Sequence, residues 1–208
     1  HWEGDEEMKK ILFVNACVRG EQSRTLNIAR RFLEEYKKQN PEDSITQLDL
    51  YDLELNYLTS ETLALREQLL QENNLDHELF NLAKQFAAAD KIVIAAPFWD
   101  LSFPAVLKVY IEQISVQGIT FDYKEDGIPV GLCKAEKLLY ITTRGGEFSH
   151  GFAKEYEMGV PYIKAICALY GIQNVISISA EGLDIVGKDA AEIVNKAMEE
   201  AVEVAKTF

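Results

Sequence analysis

Three absences narrow the class of protein before any motif is considered. The chain has 3 cysteines, widely spaced and without a CxxC pair, so neither a disulfide framework nor a metal site is expected. It has 21 lysines and arginines against 34 acidic residues, a formal net charge of −13, which argues against a nucleic-acid binder. No apolar run approaches the roughly 18 residues of a membrane span, and no signal-peptide pattern occurs, so we expect a cytoplasmic protein.

The composition is that of a chain that can bury an ordinary core. Hydrophobic residues make up 48% of its 208 residues, a length typical of one domain. The opening HWEGDEE, residues 1–7, shows no apolar period, and we interpret it as an expression remnant. Residues 8–208 are then expected to form a single domain.

Short β-branched runs alternate with helical spacing of apolar residues along this domain. We predict strands at 9–16, 44–50, 91–97, 137–143 and 174–182. Helices are predicted after 23–25, twice within 59–89, from Phe103 with Ser102 as its cap, within 153–170, and from about Lys188. This alternation predicts an α/β fold, a parallel sheet of five strands in the order 2-1-3-4-5 with helices on both faces.

Ligands bind such sheets outside the carboxyl ends of the strands, which points to the loops 16–25, 97–102 and 143–151. The first loop, ACVRGEQSRT, leads into a helix whose free N–H groups, with Ser23, Arg24 and Thr25, could cradle a phosphate. It lacks the glycines and lysine of the dinucleotide-binding and P-loop motifs. The alternative is that Ser23 only caps the helix.

The other two loops suggest what such a phosphate would belong to. Phe98 and Trp99 place two large apolar rings in the second loop, where a flat apolar ligand could lie against them. Gly145 and Gly146 in the third loop allow close approach of backbone, although a Gly-Gly pair can also be a plain tight turn. Phosphate, flat ring and polar ring atoms together describe flavin mononucleotide (FMN).

Three motifs give the chain a family resemblance from Met8 onward. Ser23-Arg24-Thr25 matches a phosphate-loop Ser-x-Ser, Pro97-Phe98-Trp99-Asp100-Leu101 a Pro-Met-Tyr-Asn-Phe loop, and Thr143-Arg144-Gly145-Gly146 a Ser-Arg-Gly-Gly loop. The chain thus resembles the FMN-dependent NAD(P)H azoreductases and quinone reductases of flavodoxin-like, three-layer fold. The resemblance implies that these twelve residues and Cys17 bind FMN. Two positions depart from the pattern, since Cys17 replaces a common serine and Asp100 a common asparagine.

The resemblance also implies a reaction and an assembly. Hydride would pass from NADH or NADPH to N5 of the flavin and then, by a ping-pong mechanism, to a quinone, azo or nitro compound. The hairpin region Gly118–Leu132 is similar to a family hairpin that brings an aromatic residue, here Phe121 or Tyr123, to the substrate. The family further implies a homodimer with sites at the interface.

Several alternatives stay open at this point. His150 is a candidate substrate-binding residue or a solvated loop residue, and Cys17 a reactive thiol or a small packing residue. Asp184 to Lys188 is interpreted as a plain connector. A flavodoxin-like electron carrier or a flavin-binding sensor would share the FMN loops, but the helices at 59–89 and the hairpin favour an enzyme.

Overall fold

The computed structural model describes residues 7–208, so the predicted remnant at 1–7 falls almost wholly outside the described residues. Five strands form a parallel sheet: β1 Lys10–Asn15, β2 Ser44–Asp49, β3 Lys91–Ala95, β6 Lys137–Thr143 and β7 Asn174–Ala180. An antiparallel hairpin, β4 Phe121–Tyr123 with β5 Pro129–Gly131, forms a separate small sheet. The helices are α1 Arg24–Gln39, α2 Ser60–Gln71, α3 Asn81–Ala88, α4 Ala105–Ile114, α5 Gly159–Tyr170 and α6 Ala190–Thr207.

The α/β class and the parallel sheet of five strands are confirmed, but the predicted order 2-1-3-4-5 is corrected to β2-β1-β3-β6-β7. The difference arises because Gly118–Leu132 forms two strands, which come fourth and fifth in the chain and stay outside the main sheet. β1, β3 and β6 are neighbours, and their carboxyl ends lie at one edge.

Alternation along β1 divides the core between the two faces of the sheet. Leu12 and Val14 pack on the face covered by α3, α4 and α5, whereas Ile11 and Phe13 pack on the face covered by α1 and α6. All four side chains are at most 2% exposed. A strand buried on both faces reads as a continuous apolar run, which is why the sequence located it.

One helix boundary differs from prediction. The helix predicted from Phe103 begins at Ala105, because Pro104 holds an extended conformation and Ser102, the predicted cap, instead pairs with Trp99. The helix predicted within 153–170 is present as α5, and a separate 3-10 turn, Phe152–Tyr156, precedes it. Within residues 7–208, no helix is both long and apolar enough to cross a membrane.

Candidate functional site

A cleft of about 460 Å³ opens at the carboxyl ends of β1, β3 and β6. This volume lies in the range of small-molecule sites. The first loop contributes Cys17, Ser23, Arg24 and Thr25, the second Pro97, Phe98 and Trp99, and the third Thr143, Arg144 and Gly145. Ten of the predicted cofactor-binding residues are therefore brought together in one lining.

Three contacts tie these loops to one another and to the end of β3. The hydroxyls of Thr25 and Thr143 are 2.8 Å apart, which ties the first loop to the third. The N–H of Phe98 donates to the carbonyl of Thr143 at 2.9 Å, and the Cys17 thiol lies 3.5 Å from the carbonyl of Ala95. The cleft is thus held in shape by its own walls.

The start of α1 offers donors to an anion. Ser23 caps the helix, because its hydroxyl accepts from the N–H of Leu26 at 3.1 Å. The N–H groups of Arg24 and Thr25, at the first two helical positions, donate a hydrogen bond to no other described residue. Ser23 therefore caps the helix, and two helix N–H groups stay available at the cleft.

Charges in the lining differ in sign from the acidic protein around it. Arg19, Arg24 and Arg144 are its basic residues, and Asp184 is its single carboxylate. Nη1 of Arg24 and Oδ1 of Asp184 are 3.9 Å apart across the cleft. Arg19 and Arg24 outnumber this carboxylate, so the lining suits a ligand that carries negative charge.

Cys17 lies in the wall as a neutral thiol. It is 5% exposed, and its backbone N–H donates to the side chain of Asn15 at 3.0 Å. Burial raises the pKa of the Cys17 thiol to about 11, although a hydrogen bond with Ser23 opposes this shift. Its burial and raised pKa favour the packing interpretation of Cys17 over the reactive-thiol interpretation.

A tight turn presents Trp99 at the cleft. Trp99 and Ser102 exchange backbone hydrogen bonds of 2.9 and 3.3 Å, and the two residues between them have positive φ angles, 50° at Asp100 and 68° at Leu101. Such a turn reverses the chain within two residues. Trp99 keeps 40% of its surface exposed in the lining, while Asp100 and Leu101 stay outside it.

Arg144 fastens the second and third loops from within. Its side chain is 4% exposed, with Nε 3.2 Å from Glu181 and Nη1 3.6 Å from Glu157. Its guanidinium carbon lies 5.4 Å from the ring centre of Phe98 and 5.9 Å from that of Phe148. The side chain of this predicted cofactor-binding residue therefore hydrogen-bonds Glu181 through Nε, whereas Nη1 is paired with Glu157 without a hydrogen bond.

The segment after β7 forms a fourth wall of the cleft, which was not predicted from the sequence. The N–H of Asp184 donates to the carbonyl of Gly145 at 3.1 Å, and Gly182 donates to Gly146 at 2.9 Å. A Cβ at position 145 would collide with the Asp184 carboxylate, so a larger residue there would displace that side chain. Interpreting Asp184 to Lys188 as a plain connector was wrong at Asp184, which lines the cleft. The other lining residues missed are Val18, Arg19, Gln22 and Leu183.

Six predicted site residues are not in this lining: Asp100, Leu101, Gly146, Phe121, Tyr123 and His150. The hairpin packs beside the carboxyl end of α5, where Cys133 donates to the carbonyl of Tyr170 at 3.1 Å. α5 begins beside the second loop, so its 12 residues place the hairpin about 18 Å away along the helix. His150 is exposed and lies 3.5 Å from Glu147.

Comparison with known proteins identifies relatives over nearly the whole chain. A family model described as flavodoxin-like fold matches residues 9–205. The FMN-dependent NADH:quinone oxidoreductase 2 of Clostridium acetobutylicum is 46% identical over 202 residues, which cover 97% of this chain and 100% of that protein.

Two solved structures from Bacillus anthracis are also similar. An azoreductase of the Sterne strain is 34% identical, with a TM-score of 0.87 over 97% of this chain and 100% of that one. An FMN-dependent NADH-azoreductase of the Ames Ancestor strain, solved in complex with FMN, is 26% identical, with a TM-score of 0.85 over 96% and 99% of the two chains.

Proposed function

The chain belongs to the flavodoxin-like fold family, and from this we propose that it is an FMN-dependent NAD(P)H oxidoreductase that reduces quinones and azo or nitro compounds. One observation supports this most strongly. A cleft with free helix N–H groups, three arginines and an exposed tryptophan occurs in a chain 46% identical to an FMN-dependent NADH:quinone oxidoreductase. The N–H donors, the arginines and the aromatic surface would then belong to one cofactor site.

The residues of the cleft fit FMN from end to end. Its phosphate would accept hydrogen bonds from the N–H groups of Arg24 and Thr25, with the charge of Arg24 nearby. The ring would lie beside Phe98 and Trp99, and its polar edge would meet the backbone of Gly145. A site for one phosphate group, without the adenylate fingerprint, favours FMN over FAD.

The protein's own contribution is binding, orientation and exclusion of water. FMN, when bound, supplies the hydride chemistry by accepting hydride from the nicotinamide and returning it to the acceptor. The Thr25–Thr143 and Phe98–Thr143 contacts fix the loops that would hold the ring. The Trp99 side chain would shield it from water.

We also propose that the active form is a homodimer with its sites at the interface. Phe121 and Tyr123 lie at the far end of α5 from the cleft of their own chain, so they could contact an acceptor only at the cleft of a second copy. Exposed apolar side chains also follow the third loop: Phe152 is 87% exposed, and Tyr156 and Met158 are each 51% exposed. Such surface suits a symmetric partner.

An anaerobic titration tests the activity. The purified protein is expected to be yellow, to release FMN on denaturation, and to lose its flavin absorbance when NADH or NADPH is added. Reoxidation by a quinone should restore the absorbance. Bound flavin that neither nicotinamide reduces would instead identify an electron carrier, and failure to take up FMN on reconstitution would contradict the proposed cofactor.

A further inference from the structure

A single carboxylate lines a cleft that is otherwise suited to an anion. The lining contains Arg19, Arg24 and Arg144, and Asp184 is its only acidic residue. A phosphate monoester carries about 1.5 to 2 negative charges at neutral pH, so a carboxylate beside it is repelled. The Asp184 side chain is 79% exposed. Among the described residues, its only ion-pair partner is Arg24.

Backbone contacts fix the main chain at Asp184, from which the carboxylate extends. The Asp184 N–H donates to the carbonyl of Gly145, and the preceding Gly182 donates to Gly146. The absence of a side chain at Gly145 leaves the space that the carboxylate fills. Asp184 is therefore held between the third loop and the first turn of α1, with Oδ1 at 3.9 Å from Nη1 of Arg24.

We propose that Asp184 is an affinity-determining residue that weakens FMN binding, by occupying Arg24 in the free protein and by repelling the phosphate in the complex. Arg24 exchanges the Asp184 carboxylate for the phosphate when FMN binds. This inference rests on the proposed function, because it assumes that the phosphate lies at the start of α1. The effect requires the phosphate and is absent for a flavin without one.

Flavin affinities of the apoprotein test the proposal. Asp184→Asn keeps the size and the backbone contacts of the residue but removes its charge. We expect its Kd for FMN, measured by quenching of flavin fluorescence, to fall roughly 1.5- to fivefold, the range of an exposed charge pair. Its Kd for riboflavin, which lacks the phosphate, should not change.

A matched control separates this local effect from net charge. Glu199→Gln removes the same charge from an exposed position of α6 outside the cleft lining, and its Kd for FMN should equal that of the wild type. In an Arg24→Gln background, the gain in FMN affinity from Asp184→Asn should shrink, because Asp184 then has no Arg24 to occupy and only its repulsion of the phosphate remains.

Three results would overturn the proposal: an unchanged or higher Kd for FMN in Asp184→Asn, an equal gain for riboflavin, or an equal gain in Glu199→Gln. A wild-type protein that bound neither flavin would instead overturn the proposed function.

Discussion

At the residue scale, Arg144 joins parts of the site that are distant in sequence. Glu157 precedes α5, Glu181 follows β7, and both lie within 3.6 Å of the guanidinium, which also lies near the ring of Phe98. Removing a buried cation leaves its carboxylate partners unpaired. The geometry of the aromatic wall therefore depends on a side chain that is 4% exposed.

We expect Arg144→Met to lower the free energy of unfolding by about 3–5 kcal/mol, the usual cost of breaking a buried ion pair from one side. Arg144→Lys keeps the charge but not the planar fork, and should recover part of the loss. Urea denaturation of the three proteins measures both effects. An Arg144→Met variant as stable as the wild type would show that the ion pairs contribute no net stability.

Cysteine reactivity is the second prediction at this scale. Burial raises the pKa of Cys17 to about 11 and the pKa values of Cys133 and Cys167 to about 12. Because the thiolate is the nucleophile, iodoacetamide at pH 7.5 should leave all three unmodified in the native protein. Peptide mass spectrometry measures this, with guanidinium-unfolded protein as the positive control. Rapid native labelling of Cys17 would restore the reactive-thiol interpretation.

At the element scale, the loop after β7 holds the loop after β6 through Glu181. Its carboxylate accepts from the Phe148 N–H at 2.9 Å, from Nε of Arg144 at 3.2 Å, and from the Ser149 hydroxyl. Burial opposes ionisation, but these hydrogen bonds and the charge of Arg144 outweigh it and lower the pKa of Glu181 below its ordinary 4.5. Ionised Glu181 therefore stabilises this end of the sheet.

The sign of the shift gives a pH dependence. A carboxyl whose pKa is lower in the folded state contributes stability above pH 4.5, and this contribution is lost as the pH falls through the lowered pKa. Glu181→Gln should be less stable than the wild type at pH 7, and the difference should shrink below pH 4.5. Unfolding by urea across this range measures it, with exposed Glu199→Gln as control. A difference independent of pH would contradict the assignment.

Helices and strands were predictable from sequence where the local residue pattern determines them. They were less predictable where contacts between distant residues determine them. The buried run of β1 and the alternation of strands with helices identified the sheet and the three loops. The start of α4 was missed because Ser102 pairs with Trp99 through backbone hydrogen bonds instead of capping the helix, which begins after Pro104. Asp184 was missed because its loop has no motif; only its contact with Gly145 reveals it.

At the scale of the whole molecule, the proposed dimer would bring the aromatic hairpin of one chain to the cleft of the other. Light scattering of the wild type at micromolar concentration should give twice the mass of one chain. Phe152→Lys changes a side chain that is 87% exposed in one chain, so it should cost little in a monomer but weaken a dimer that buries it. A fully active wild-type monomer would contradict the dimer, whereas an unaffected Phe152→Lys dimer would move the interface elsewhere.

The final prediction is kinetic and follows from the walls of the cleft. Nicotinamide and acceptor must each come within about 3–3.5 Å of N5 to react. The turn at Trp99 and the third loop form adjoining walls of the cleft, which we expect to leave one face of the ring accessible. The two substrates must then take turns, so initial rates with NADH and a quinone should give parallel double-reciprocal lines.

Variants of Trp99 test whether the two substrates use the same position beside the flavin. Trp99→Ala removes a ring that is 40% exposed at the cleft, so it should loosen the cofactor and slow reduction and reoxidation together in stopped-flow traces. Trp99→Phe keeps an apolar ring and should retain most of both rates. Slowing of only one half-reaction, or intersecting lines together with a complex that holds nicotinamide and acceptor at once, would show two separate positions. Because each substrate would then have its own position, the alternation inferred from one accessible face would be wrong.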